Sequence, residues 1–256
     1  MHNTLASRIA AFAAAAALVC LACCIAPAAV SAKTPNTQYG NISPLPGGGV
    51  AVNADGERDG LGAFQLNIPV AYTPRWGYWS LSAFNGGHFG PGPGETDNGS
   101  GILAAGFGSS RPVYVSAMQV SRVWDESKAY SAQISLTPEK LGAPAISVGM
   151  QDIQEKEEDG TSAYVVATKS FQRHGMRIYG TLGYGTGRFI NQPFGGISVP
   201  VSESLNVAVE WDSYQINTGL GWRPGGQNGW LTLVAGYNGQ AGFLFGASTA
   251  FDLSRR

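Results

Sequence analysis

The sequence predicts an all-β protein, an antiparallel transmembrane β-barrel of about 12 strands. Three observations lead there. Only 13% of the 256 residues are charged while 36 are glycine, about half the charge and twice the glycine of an average globular chain. Apolar residues recur at every second position over repeated runs with turn signals between them, the periodicity of strands with one apolar face. The chain also opens with a segment of export type. The same composition excludes other classes. At 44% hydrophobic and 11% aromatic the chain is too apolar for a disordered protein. Glycine at this density is incompatible with a long-helix bundle, and no collagen triplet runs through it. A net charge of −1 and a pI near 6.3 give no basic face, so no nucleic-acid partner is expected.

Residues 1–32 read as a secretory signal peptide. Arg8 precedes the apolar run Ile9–Ile25, and Val30-Ser31-Ala32 supplies small residues for cleavage before Lys33. Two alternatives attach to this segment: an uncleaved membrane anchor, and a lipoprotein signal in which Leu21-Ala22-Cys23 precedes an acylated Cys24. All three cysteines (Cys20, Cys23, Cys24) lie here, so the exported part forms no disulfide although its compartment permits them. Beyond Ala32 no apolar stretch approaches the ~20 residues of a membrane helix. A closed barrel is then the one way for the rest of the chain to span a bilayer.

Residues 33–49 are polar and rich in Pro and Gly, a periplasmic lead-in or plug, and residues 50–256 are expected to form the barrel domain. The first strand is expected where Phe64, Leu66, Ile68, Val70 and Tyr72 alternate with Gln65 and Asn67. Pro74 ends that run, and Trp76–Phe84 reads as the next strand. His88–Ser100 contains Gly-Pro-Gly-Pro-Gly and Asp97-Asn98-Gly99, a loop. Strands are expected near Gly101–Phe107, Val113–Trp124 and Ala129–Leu136. Further alternation marks Ile146–Gln151, Tyr164–Thr168, Met176–Tyr184, Leu205–Asp212, Ile216–Trp222, Trp230–Tyr237 and Phe243–Leu253.

What separates a membrane barrel from a soluble exported β-protein that binds a ligand or polysaccharide is the residue type between the apolar positions. Here Ser, Thr, Asn, Gln, Gly and Ala dominate, where a soluble sheet would carry more Lys and Glu to protect its outer face and edges. The aromatic residues Trp76, Trp79, Tyr184, Trp211, Trp222, Trp230 and Tyr237 lie near strand ends, where amphipathic rings favour the membrane–water interface. The expected location is the bacterial outer membrane, with membrane lipid and lipopolysaccharide as partners. Many such barrels end on an aromatic residue. This chain ends Phe251-Asp252-Leu253-Ser254-Arg255-Arg256, leaving Phe251 and Leu253 to serve internally.

Ser147-Val148-Gly149-Met150-Gln151-Asp152, Ala167-Thr168-Lys169, Gly183-Tyr184-Gly185-Thr186-Gly187-Arg188, Pro193-Phe194-Gly195-Gly196, Glu210-Trp211-Asp212 and Asn217-Thr218-Gly219-Leu220 follow one another in the C-terminal half. In their order and spacing, residues 144–253 resemble the YjbH-like outer-membrane proteins linked to bacterial exopolysaccharide production. The resemblance covers a little under half of the chain and implies an outer-membrane barrel serving polysaccharide export, with polysaccharide or export machinery as partners. It implies no catalytic residues.

Chemical motifs are sparse, and the chain is not expected to be an enzyme or to carry a cofactor. Glu210 and Asp212 share one strand face, opposite Val209 and Trp211, and in a barrel that face is the lumen. Lys169, Arg177 and Arg223 are expected on the polar faces of their own strands, so that a ring of mixed charge sets pore selectivity or closes the lumen by pairing across it. Two carboxylates so close on one strand do not suit a glycosidase, whose pair straddles a sugar. Gly183-Tyr184-Gly185-Thr186-Gly187 lacks the helix and Lys-Ser/Thr of a phosphate loop and reads as a strand bend. His88 and His174 have no ligand partners at zinc spacing, so no metal is expected. The acidic stretch Gln154–Gly160 lacks calcium-loop spacing and reads as a solvated hairpin tip, with a divalent cation to lipopolysaccharide as its alternative role.

Overall fold

The computed structural model describes residues 45–86, 100–109, 112–120, 128–155, 160–173, 175–238 and 242–252. The signal-like segment, the loop around His88, His174, the acidic tip at 156–159 and Leu253 lie outside the described residues. Twelve strands follow one another: β1 (Tyr78–Gly86), β2 (Ser100–Gly108), β3 (Val113–Val120), β4 (Lys128–Thr137), β5 (Ala145–Gln151), β6 (Ser162–Arg173), β7 (Met176–Gly185), β8 (Gln192–Ser202), β9 (Leu205–Trp211), β10 (Ile216–Trp222), β11 (Leu231–Asn238) and β12 (Gly242–Asp252). Each pairs antiparallel with its neighbours in sequence, and β1 pairs with β12 from Tyr78↔Asp252 to Gly86↔Leu244, closing the barrel. Closure leaves no sheet edge with unpaired backbone groups. Among the described residues no helix is long and apolar enough to cross a membrane.

Because strand number is even, β1 begins and β12 finishes at one end, here the terminal end. The connections there are 109–112, 138–144, 174–175, 203–204 and 223–230. At the opposite, distal end β7 and β8 are joined by 186–191 and β9 and β10 by 212–215.

Twelve strands were expected and twelve form the wall, but the two sets differ in one member. The run Phe64–Tyr72 is not a strand. It is irregular backbone inside the barrel, and both its apolar and its polar positions are buried: Phe64, Gln65, Ile68 and Val70 are each 0% exposed. Pro69 interrupts the run and removes a donor that a ladder needs. Its remaining amides are satisfied partly by the wall, Phe64 N–H to Ser198 Oγ at 3.2 Å and Ala71 N–H to Thr168 Oγ1 at 2.8 Å, and partly within the plug, Gln65 N–H to the Gly47 carbonyl and Val70 N–H to the Pro46 carbonyl. The wall therefore starts at Tyr78, and residues 45–77, of which 45–49 belong to the segment expected as a lead-in or plug and 50–77 to the expected barrel domain, form a plug. The strand missing from expectation is β8, whose Pro193, Gly195, Gly196 and Pro200 look like turn residues. Pro193 sits near its start, and Pro200 sits where the pairing with β9 shifts by one residue, positions a sheet tolerates for proline.

The plug runs in from the terminal end and back out. Gly60 lies against the Glu203 carbonyl in the β8–β9 turn, Asn67 reaches Asp212 near the distal end, and Tyr72 returns to Glu139 in the β4–β5 connection. Inward-facing glycines make room for it. A Cβ on Gly219 would stand 2.5 Å from Leu66 Cγ, one on Gly236 2.7 Å from Leu66 Cδ1, and one on Gly221 2.9 Å from Phe64 Cε2. At Gly196 it would stand 2.9 Å from both amide atoms of Gln65. Real Cβ atoms do not approach this closely, so these four wall glycines hold lumen space for the plug, while Gly106, Gly149 and Gly246 clear space for the wall's own Tyr114, Tyr164 and Phe84. Burying each of the large plug side chains contributes about 1.5–3 kcal/mol, and the packed interior leaves little void.

Candidate functional site: the plugged lumen and the outer belt

The plug is pinned at its far turn by two carboxylates. Glu210, in β9, accepts the backbone N–H of Leu66 (3.0 Å) and of Asn67 (2.7 Å) and the Asn217 side-chain amide (3.3 Å). Asp212 accepts from the side-chain amides of Asn67 (3.1 Å) and Asn217 (2.9 Å) through Oδ2. Its Oδ1 takes the N–H groups of Tyr214 and Gln215, which folds the β9–β10 turn. Both residues are buried and both sit on the lumen face, where spacing places them. Their hydrogen-bond partners are amides, not cations. A buried carboxylate needs several donors to offset desolvation, and here the plug backbone supplies them.

Arg188 completes the distal cap. It sits in the β7–β8 connection, donates to Gln151 Oε1 at 3.0 Å, and donates to the Asn67 carbonyl and side-chain oxygen at 3.0 and 2.5 Å. Phe189 beside it stacks on Phe194 at 4.2 Å and meets the Tyr164 ring edge-on. Gly183 and Gly185, from the bend expected at 183–187, face inward on β7 and clear space for Phe194 and Phe189. Lower in the lumen, Gln133 donates to the Val70 carbonyl and to Thr73 Oγ1, and Tyr164 donates to Gln133 Oε1.

The expected ring of mixed charge does not form. Arg177 is inward in register, but it is exposed at the terminal rim, with Nη1 3.5 Å from Tyr179 Oη. Arg223 is buried just past β10, its backbone N–H donating to the Ser204 carbonyl. Lys169 is on the opposite face altogether. On β6 it is Tyr164, Val166 and Thr168 that point inward, buried against the plug, so Lys169 faces outward with Val165 and Phe171. The expectation took the apolar face of β6 for its lipid face, whereas Tyr164 and Val166 of that face cluster with the apolar plug residues Ile68, Val70 and Tyr72. Lys169 runs along the outside to the terminal rim, donates Nζ to the carbonyls of Lys140, Leu141 and Ala143, and pairs with Glu139 at 3.1 Å.

Glu139 is a second anchor that sequence reasoning missed. It accepts from Tyr72 Oη of the plug and from Ser170 N–H (3.1 Å) and Oγ (2.7 Å) of β6. Burial pushes its carboxyl up, but the hydrogen bonds from Tyr72, Ser170 and Lys169 outweigh this and leave it below the ordinary carboxylate value. An isolated Glu in a connection gives no such signal in sequence, because its partner is 67 residues away. Among the described residues no group of three or more His, Cys, Asp or Glu is placed to hold a metal.

The outside of the wall is apolar. Trp76, Trp79, Phe107, Trp222, Trp230 and Phe251 are exposed toward the terminal end, and Tyr130, Tyr184, Trp211, Tyr237 and Phe243 toward the distal end. Leu81, Val165, Leu182, Ile197, Leu220, Leu233 and Phe245 lie exposed between them. Trp79 stacks on Phe107 at 5.3 Å, and Tyr237 meets Phe243 edge-on at 5.4 Å. Along β12 the aromatic limits Phe243 and Phe251 are about 27 Å apart in strand length, or about 21 Å along a barrel axis at 40° tilt, close to the ~25 Å apolar band of an outer-membrane barrel. No family model matches this chain, and no curated protein matches it.

Proposed function

We propose that the protein is a bacterial outer-membrane barrel whose lumen is held shut by its own plug, serving a gated-transport, secretion-accessory or structural role. The observation that carries this is the inverted polarity of the wall: buried Ser, Thr, Gln, Asn and carboxylates inside, exposed aliphatic residues between two aromatic belts outside. Contiguous exposed apolar surface of this extent is an aggregation liability in water and is matched to lipid. On this reading the terminal end, with its mostly short turns, faces the periplasm and the distal end the cell exterior. The motifs of residues 144–253 support a part in exopolysaccharide export, with polysaccharide or export machinery as partners, as a proposal within this role.

Cell fractionation tests the membrane reading. The protein is expected in the outer-membrane fraction, extractable only with detergent, and with a faster gel mobility unheated than boiled. Recovery as a detergent-free soluble protein of normal mobility would overturn it in favour of a soluble exported binding protein.

A further inference from the structure

The lipid-facing side of the wall is not uniform. Over β6–β9 a groove of about 620 Å³ opens outward, floored by Gly180 and Gly195 and walled by Phe171, Leu182, Ile197 and Trp211. Gly180 differs from the glycines of the lumen, whereas a Cβ on Gly195 would stand 3.0 Å from the Thr181 carbonyl oxygen. A Cβ on Gly180 would meet only Phe171 Cε2, at 3.4 Å, an ordinary contact, and neither glycine has a positive φ. Packing and backbone thus leave room for a side chain at Gly180, and the chain leaves the space open. At its terminal end the groove meets a basic margin. Lys169 lines it, exposed Lys140 lies in the hairpin whose carbonyls bind Lys169 Nζ, and exposed Arg173 follows Phe171 on the same outward face of β6. Glu139 is the one carboxylate facing this margin among the described residues, and it is engaged by Lys169, Ser170 and Tyr72.

We propose that this groove holds one anionic glycerophospholipid of the periplasmic leaflet, an acyl chain lying over Gly180 and Gly195 and the phosphate against Lys140 and Arg173. The proposal rests on the membrane reading above. The apolar floor suits a hydrocarbon chain, and the cations stand at the level where headgroups begin, each contributing to attraction for an anionic surface. A protein partner or a second copy would find no complementary charge in the groove itself, whose only cation is already paired.

The test is native mass spectrometry of the full chain released from micelles holding equal phosphatidylglycerol and phosphatidylcholine. One phosphatidylglycerol per chain is expected, preferred about tenfold or more over phosphatidylcholine. Gly180→Leu, which fills the floor, is expected to abolish retention of either lipid. Lys140→Gln with Arg173→Gln is expected to erase the preference while heat-modifiable mobility stays as in the parent chain. Equal retention of both lipids by the parent chain, or retention unchanged in Gly180→Leu, would overturn the proposal, as would a dimer that Gly180→Leu dissociates. The paired cation substitutions keep the test decisive if Gly180→Leu does not fold. Failure of the parent chain to enter phospholipid vesicles would instead overturn the membrane reading beneath it.

Discussion

Removing residues 33–75 converts a silent barrel into a conducting one. In planar bilayers the chain from Lys33 onward is expected to give no steady ionic current, because Phe64, Leu66, Ile68, Val70 and Tyr72 fill the lumen at 0–1% exposure. The truncated chain keeps all twelve wall strands and loses this filling, so discrete ohmic steps should appear. Barrels of about eight strands are filled by their own side chains, and those of 16 or more leave an aqueous channel; twelve strands with many inward glycines fall between, and need a plug to be closed. Glu210→Ala is the milder form of the same experiment. It strips acceptors from the buried Leu66 and Asn67 N–H groups, at about 1–3 kcal/mol each, and brief openings are expected rather than a permanent pore. Steady conductance by the chain from Lys33 onward, or silence from a truncated chain that shows normal heat-modifiable folding, would contradict the plugged-lumen account.

The second large effect concerns the glycines. Gly219→Val forces a side chain into Leu66, whose Cγ stands 2.5 Å from where the new Cβ would be. Overpacking of this kind costs about 1–3 kcal/mol, and Leu66→Ala alone costs about 2–5 kcal/mol by leaving a void. Together they are expected to be less damaging than their sum, because the valine occupies part of the space the leucine leaves; contacting pairs couple by about 0.5–3 kcal/mol. Urea unfolding in vesicles, followed by tryptophan fluorescence, measures all three variants. Strict additivity would mean that Gly219 is not reserved for the plug.

These two experiments bear on what the sequence could and could not express. Alternation locates most of the wall because a membrane strand has a strict period of two, and it places Glu210 and Asp212 on the lumen face for the same reason. It fails where the lumen is apolar. A segment packed inside the barrel needs large apolar side chains as a lipid-facing strand does, so Phe64–Tyr72 imitates a strand, and only Pro69 within it hints otherwise. β6 shows the same confusion at the level of faces. Tyr164, Val166 and Thr168 contact the plug, and a shift of one residue moves Lys169 from one solvent to the other. β8 escapes detection because Pro193 and Pro200 occupy its tolerant ends and its glycines serve space rather than turns. The plug anchors Asn67, Arg188 and Glu139 were not legible, since each depends on a partner brought near only by barrel closure.

The measurement closest to the central claim is a cysteine scan along β12 in a chain that starts at Lys33, which leaves out Cys20, Cys23 and Cys24 and so has no background cysteine. Phe243, Phe245, Ala247, Thr249 and Phe251 face outward, and Leu244, Gly246, Ser248 and Ala250 face inward. In vesicles, the outward set is expected to react with a lipid-soluble maleimide and the inward set to be protected from both lipid-soluble and water-soluble reagents. Truncation of residues 33–75 should then expose the inward set to the water-soluble reagent. Uniform reaction of the outward positions with the water-soluble reagent would contradict a wall that faces lipid.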